Sequence, residues 1–206
     1  MSPRRPRDKE RTVQDILSAA RQLFSEKGLH GVSFQDIEDA SGVSRGLIIH
    51  HYGNKEALYA AVQEDLNREY VAMMAAQRQK SGNLQEMITN AVRSSFEHAK
   101  GNRQYRRVAL WSYLEGHESA TEIEKAFTTN LITSMRAGQE AGLVRRDIDA
   151  FFMPFIIKGT IEYWIQKEKL IQELSASEQA TSELAGGQGA EERLIEVLAR
   201  LFTSGD

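Results

Sequence analysis

The residues of this chain best equipped for chemistry lie in its first quarter. Arg4, Arg5 and Arg7 open it, within a run over residues 1–11 that holds five basic side chains against two acidic ones. Ser33, Ser44, Arg45, His50, His51, Tyr52 and Lys55 follow over little more than twenty positions. Together they offer hydroxyls, imidazoles, cations and candidate helix N-termini, the groups that hold phosphate oxygens. A basic run alone is as readily a solvated, flexible arm as a contact for nucleic acid. Catalytic chemistry has little to work with. The chain has no cysteine, no His-Glu-x-x-His helix, no phosphate-cradling glycine loop, and no Ser, His and acid set in a recognisable context, so no enzyme, cofactor or metal site is expected. His50 and His51 are neighbours on a helix and diverge by about 100°, which disfavours a metal held by that pair.

The elements that must position these groups are helical. Only three prolines (Pro3, Pro6 and Pro154) interrupt a sequence rich in Ala, Leu, Ile, Glu, Gln, Lys and Arg, and 41% of the 206 residues are hydrophobic, enough for a real core. From Thr12, taken as a cap with Asp15, apolar residues at Val13, Ile16, Leu17, Ala20, Leu23 and Phe24 recur at helical spacing until Gly28. Ser33 should cap a second, short helix that Ser41-Gly42-Val43 breaks; a third starts at Ser44 and runs to Tyr52. Asn54 caps a fourth, whose Leu58, Val62, Leu66, Tyr70 and Met73 form one stripe as far as Ser81-Gly82-Asn83. Further helices are expected at 84–100, 103–117, 120–141, 149–173 and 191–203, about nine in all, with a mobile polar loop at 175–190. Three helices with a tight glycine turn between the second and third form the arrangement that offers one helix to the DNA major groove, although plain bundles use it too.

Ile16, Ala19, Ala20, Leu23, Phe24 and Gly28, followed by Ser33, Ile37, Gly42-Val43-Ser44, Gly46, His51-Tyr52, Lys55-Glu56 and Leu58, resemble the N-terminal signature of the TetR family in ungapped register over residues 12–60. The resemblance implies an all-α protein divided into a basic arm (1–11), a helix-turn-helix DNA-binding domain (12–55) and a larger helical ligand-binding and dimerisation domain (56–206), in which 56–80 is a connecting helix. It places Arg45, Gly46 and Leu47 at the start of the recognition helix. Arg45 is then the candidate for guanine, whose O6 and N7 a guanidinium meets bidentately for about 1–3 kcal/mol of discrimination, with a phosphate contact as the alternative. Ser33, Ser44, His51, Tyr52 and Lys55 fall where the family caps helices or holds phosphates. The Tyr52 ring has packing as its alternative role, and Lys55 solvation. The chain departs from the family pattern at Ile49 and His50, where aromatic residues are common, and at Glu38 and Ser41, where alanines are usual. Ile49 can meet a thymine methyl or fill the core; His50 can reach a phosphate or a base.

Ten of the sixteen aromatic residues lie between Phe96 and Trp164. That clustering suits either a packed core or an apolar cavity, and the family resemblance implies the cavity. Phe96, Trp111, Met135, Phe152, Ile156 and Tyr163 are the candidate lining, with Glu115, His117 and Glu162 as polar contacts. The run Phe151-Phe152-Met153-Pro154-Phe155-Ile156-Ile157 is apolar on every side, so its helix should be covered more than once, and Pro154 should cost it one hydrogen bond. The resemblance implies a homodimer through helices 149–173 and 191–203, and so two reading helices about 34 Å apart on a palindromic operator. It further implies a repressor released when a small ligand shifts the connecting helix; a DNA-binding activator or architectural protein without an effector is the alternative. The net charge of −3 argues against indiscriminate coating of nucleic acid. No apolar run approaches the roughly 20 residues of a membrane span, and a cytoplasmic protein is expected.

Overall fold

A computed structural model describes residues 6–78, 83–117, 120–179 and 189–203. Ten helices are present among them: α1 (Pro6–Lys27), α2 (Phe34–Ser41), α3 (Arg45–Tyr52), α4 (Lys55–Arg78), α5 (Leu84–Gly101), α6 (Arg103–Leu114), α7 (Glu122–Glu140), α8 (Met153–Gln166), α9 (Glu168–Gln179) and α10 (Ala190–Phe202). The chain divides into two compact units, one of residues 1–69 and 102–124, the other of 70–101 and 125–206.

In the first unit the four-residue spacing of Ile16, Ala20 and Phe24 gives α1 a fully buried stripe. It packs on Ile37 of α2, Ile48 of α3 and Leu58, Tyr59, Val62 and Leu66 of α4. Gly28 ends α1 at φ +71°, its N–H bonded to the Phe24 carbonyl at 3.0 Å, and Gly42 ends α2 at φ +68°, bonded to Glu38 at 2.9 Å. Both positions need the left-handed backbone that glycine adopts without strain. α6 belongs with these helices. Its Arg107 guanidinium donates to the carbonyls of Ser25 and Glu26 at the end of α1, and the carboxylate of Glu115, the residue that caps α6, accepts the N–H groups of Leu29 at 2.8 Å and His30 at 3.1 Å. The cation satisfies carbonyls that the helix end leaves open, and the anion satisfies two amides of the segment that follows. The unit therefore extends beyond the residue 55 boundary expected from sequence, taking in 56–69 and 102–124.

The second unit is built on Ile88, Val92 and Phe96 of α5, Met153 and Ile161 of α8, and Ile195, Leu198, Ala199 and Phe202 of α10. Arg93 pairs with Glu192, and Lys100 with Glu191 and Glu168, tying α5 to α10 and α9. Gln139 donates to the carbonyls of Arg145 and Ile148, folding the 141–152 connection back onto α7.

Three boundaries differ from expectation. α1 starts at Pro6 and not at Thr12, because Asp8, Lys9, Glu10 and Arg11 continue the helix, with Arg11 beside Asp15 one turn on at 3.9 Å. The basic arm is therefore helical from residue 6. The helix expected at 149–173 is two: Asp149 makes a turn by accepting the Phe151 N–H through its side chain and the Phe152 N–H through its carbonyl, α8 begins at Met153, and α9 follows after Lys167. Pro154 thus sits in the first turn, where its missing N–H removes no helical bond. Finally, residues 175–179 of the expected loop are helical, while 180–188 lie outside the described residues.

Candidate nucleic-acid interface

α3 is held from one side. Ile48 is fully buried against α1 and α2, and Leu47 is half-buried, whereas Arg45, Gly46, Ile49 and His50 are exposed. A helix of eight residues with one buried anchor leaves most of its circumference to solvent. Nothing lies within 4 Å of where a Cβ on Gly46 would stand, so the backbone here is open to a close-fitting surface. The Arg45 guanidinium lies 5.9 Å from the centre of the Phe34 ring.

The expected phosphate-holding residues separate into two kinds. Ser44 starts α3, its carbonyl accepting the N–H groups of Leu47 and Ile48, and its hydroxyl makes no capping bond. Ser33 is engaged inside its own helix: its Oγ accepts the Asp36 N–H at 3.2 Å, and the Asp36 carboxylate accepts the Ser33 N–H at 2.7 Å and its hydroxyl. This is a capping box, and hydrogen bonding by Ser33 holds the Asp36 carboxyl below its ordinary value. Asn54 caps α4 through the Ala57 N–H at 2.7 Å. Lys55 donates from Nζ to the Val32 carbonyl at 2.7 Å, so the structure gives it the α1–α2 connection to hold; two of its three donors remain. The Tyr52 hydroxyl is buried with no hydrogen-bonding partner among the described residues, and burial raises its pKa. It is placed for packing. His51 is half-buried, and burial, then the charges of His50 and Lys9, lower its pKa. Arg4 and Arg5 lie outside the described residues; Arg7 is on the first turn of α1, with a side chain outside them.

The nine ligand candidates do not share one environment. Phe96 is 2% exposed in the core of the second unit, with Met135 and Ile156 packed against the same cluster. Phe152 and Tyr163 are 55% and 63% exposed, on the surface of that unit. Glu162 is half-buried, its charge acting on Tyr70. Trp111, Glu115 and His117 belong to the first unit. Trp111 and Glu115 crowd Gly28, where an added Cβ would stand 2.8 Å and 2.5 Å from them, and the His117 ring lies 5.4 Å from that of His30. Glu115 and Arg107 are positioned by partners far away in sequence, which no local motif signals.

Two helices joined by a glycine turn, the second anchored by one buried isoleucine and otherwise open, define an all-α protein with an N-terminal helix-turn-helix. Residues 16–62 match the family model described as "Bacterial regulatory proteins, tetR family". Over those residues the chain is similar to the N-terminal region of TetR-family regulators. It is similar to the HTH-type transcriptional repressor AcnR of Corynebacterium efficiens, 42% identical over 74 residues, which are 36% of this chain and 37% of that protein. The chain thus spans little more than a third of the length of the AcnR repressors it matches. The HTH-type transcriptional activator FasR of Mycolicibacterium smegmatis is 27% identical over 191 residues, 89% of this chain and 85% of that protein. In fold, a TetR family transcription regulator from Marinobacter aquaeolei superposes with a TM-score of 0.73 at 16% identity over 97% of this chain and 98% of that one. The regulator FadR of Bacillus subtilis, solved with stearoyl-CoA, superposes at 0.67 and 18% identity over 94% and 99%. No helix among the described residues is long and apolar enough to cross a membrane.

Proposed function

We propose that this chain is a sequence-specific transcriptional repressor that binds a palindromic operator as a homodimer and is released by a small-molecule ligand. The observation that carries the DNA reading is α3 itself: Arg45, Gly46, Ile49 and His50 are solvent-exposed on a helix pinned by Ile48. Such a helix can enter a major groove without disturbing its own core. Arg45 contacts a base edge in this reading, Ser44, His50 and His51 the backbone, and residues 12–55 form the reading head, braced by α6.

Dimerisation is supported by Phe151 and Phe152, which precede α8, and by Phe155 and Tyr163 on it, all largely exposed, as are Leu170 and Leu174 on α9 and Val197 on α10. A concentration of large apolar side chains in water marks an association surface. A ligand with an apolar portion is supported by the half-buried Met135 and Ile156, packed against the same cluster as Phe96, and by the acyl chain of the stearoyl-CoA bound by FadR, which is similar in fold. Ligand binding favours a conformation in which α4 presents the reading head differently, which lowers operator affinity only if that state binds the ligand better.

The test is selection of genomic fragments by the purified full-length protein at physiological salt. A recovered palindromic site and rising reporter output when the gene is deleted are expected. Uniform binding to all fragments would overturn the regulator reading, and falling reporter output would make the protein an activator.

A further inference from the structure

Arg45 and Phe34 are the first residues of α3 and α2, two helices that meet across the turn at Gly42. The Arg45 guanidinium carbon lies over the Phe34 ring, 5.9 Å from its centre, within the range of a cation–π contact. Phe34 is itself fixed: it is half-buried against the core of the first unit and follows directly on the Ser33–Asp36 capping box. No carboxylate among the described residues is within ion-pairing distance of Arg45.

The kind of contact matters for what Arg45 can do next. A carboxylate clamp would hold an arginine by the edge that carries its N–H donors, the same edge that bidentate recognition of guanine requires. An aromatic ring holds it by the face, restricting a long flexible side chain while leaving its five donors available. We infer that Phe34 is the positioning residue for Arg45, a platform that presents the guanidinium to a base edge, so that the choice of guanine depends on an aromatic side chain at residue 34. The inference rests on the reading of Arg45 as a base contact.

The experiment uses the full-length protein and a duplex that it selects from a random-sequence pool, compared with duplexes in which each G·C pair is changed to A·T. Phe34→Leu should lower the preference at the Arg45-dependent position about two- to five-fold, the size of an exposed cation–π contact, with an unchanged salt slope because no charge is altered. Phe34→Tyr should restore the preference, and Phe34→Leu should have no further effect on it in an Arg45→Ala background. Additive effects in the double variant, or an undiminished preference in Phe34→Leu, would overturn the platform. Should Phe34→Leu not fold, Phe34→Trp carries the test: a retained or increased preference supports the platform, and one reduced to the Arg45→Ala level overturns it. The parent reading fails separately, and the platform with it, if Arg45→Ala weakens every duplex alike.

Discussion

The hydroxyl of Tyr52 is buried without a partner among the described residues, a state that costs a phenol about 1–3 kcal/mol relative to a satisfied one. Tyr52→Phe should therefore raise the thermal midpoint and leave operator affinity within about two-fold of wild type; a large loss of affinity would restore a phosphate contact to this residue. Arg45 and Lys55 divide differently. Arg45→Ala should relax base preference at one position, measured by competition between duplexes, because its guanidinium is exposed and paired with no carboxylate among the described residues. Lys55→Ala should weaken all sequences alike and also lower the midpoint, since its ammonium anchors the Val32 carbonyl. At this scale the sequence names residue types well and their partners poorly. Ser33, Tyr52 and Lys55 each fit phosphate by type, yet a helix cap, a core and a loop carbonyl claim them, and only the Ser33 cap lies close enough in sequence to be legible.

Element boundaries follow local chemistry where that chemistry is short-range. Gly28, Gly42 and Asn54 stop or cap helices as their types suggest, because each acts on backbone within four residues. The α6 contacts with α1 are not local. Glu115→Ala should destabilise by about 1.5–3 kcal/mol in chemical denaturation, since two amides lose a charged acceptor in a half-buried place, and Glu115→Gln, which retains an acceptor, should cost less. The capping box has a pH signature. Asp36 has a folded pKa below its ordinary 3.8, so its contribution is fully present above the unfolded value and is lost as pH falls through the lower folded one. Between the unfolded value and the lower folded one, wild type should lose stability on acidification more steeply than Asp36→Asn, measured by urea unfolding at stepped acidic pH. Equal slopes would remove the capping box from the acid response.

For the whole molecule the exposed α8 surface is decisive. Phe155 is 51% exposed between Phe151 and Phe152 on one side and Tyr163 further along the helix. If this surface forms the proposed dimer, Phe155→Glu should leave the fold intact, shift sedimentation from dimer to monomer, and lower operator affinity on the order of ten-fold or more, because a two-fold operator gains from two linked heads. A Phe155→Glu protein that remains dimeric would move the interface elsewhere. The composition already indicated helices around a large apolar core, and the all-round apolar run at 151–157 already required cover on more than one side.

The helical class, the glycine turn and the family signature were set by sequence alone, because periodicity, capping and φ > 0 act over a few residues. Tertiary structure decided what lies far apart along the chain: that α6 braces the end of α1 through Arg107 and Glu115, that Phe96 is buried while Phe152 and Tyr163 face water, and that Phe34 underlies Arg45. Those outcomes depend on which helix faces meet, and packing chooses among faces that periodicity leaves equivalent.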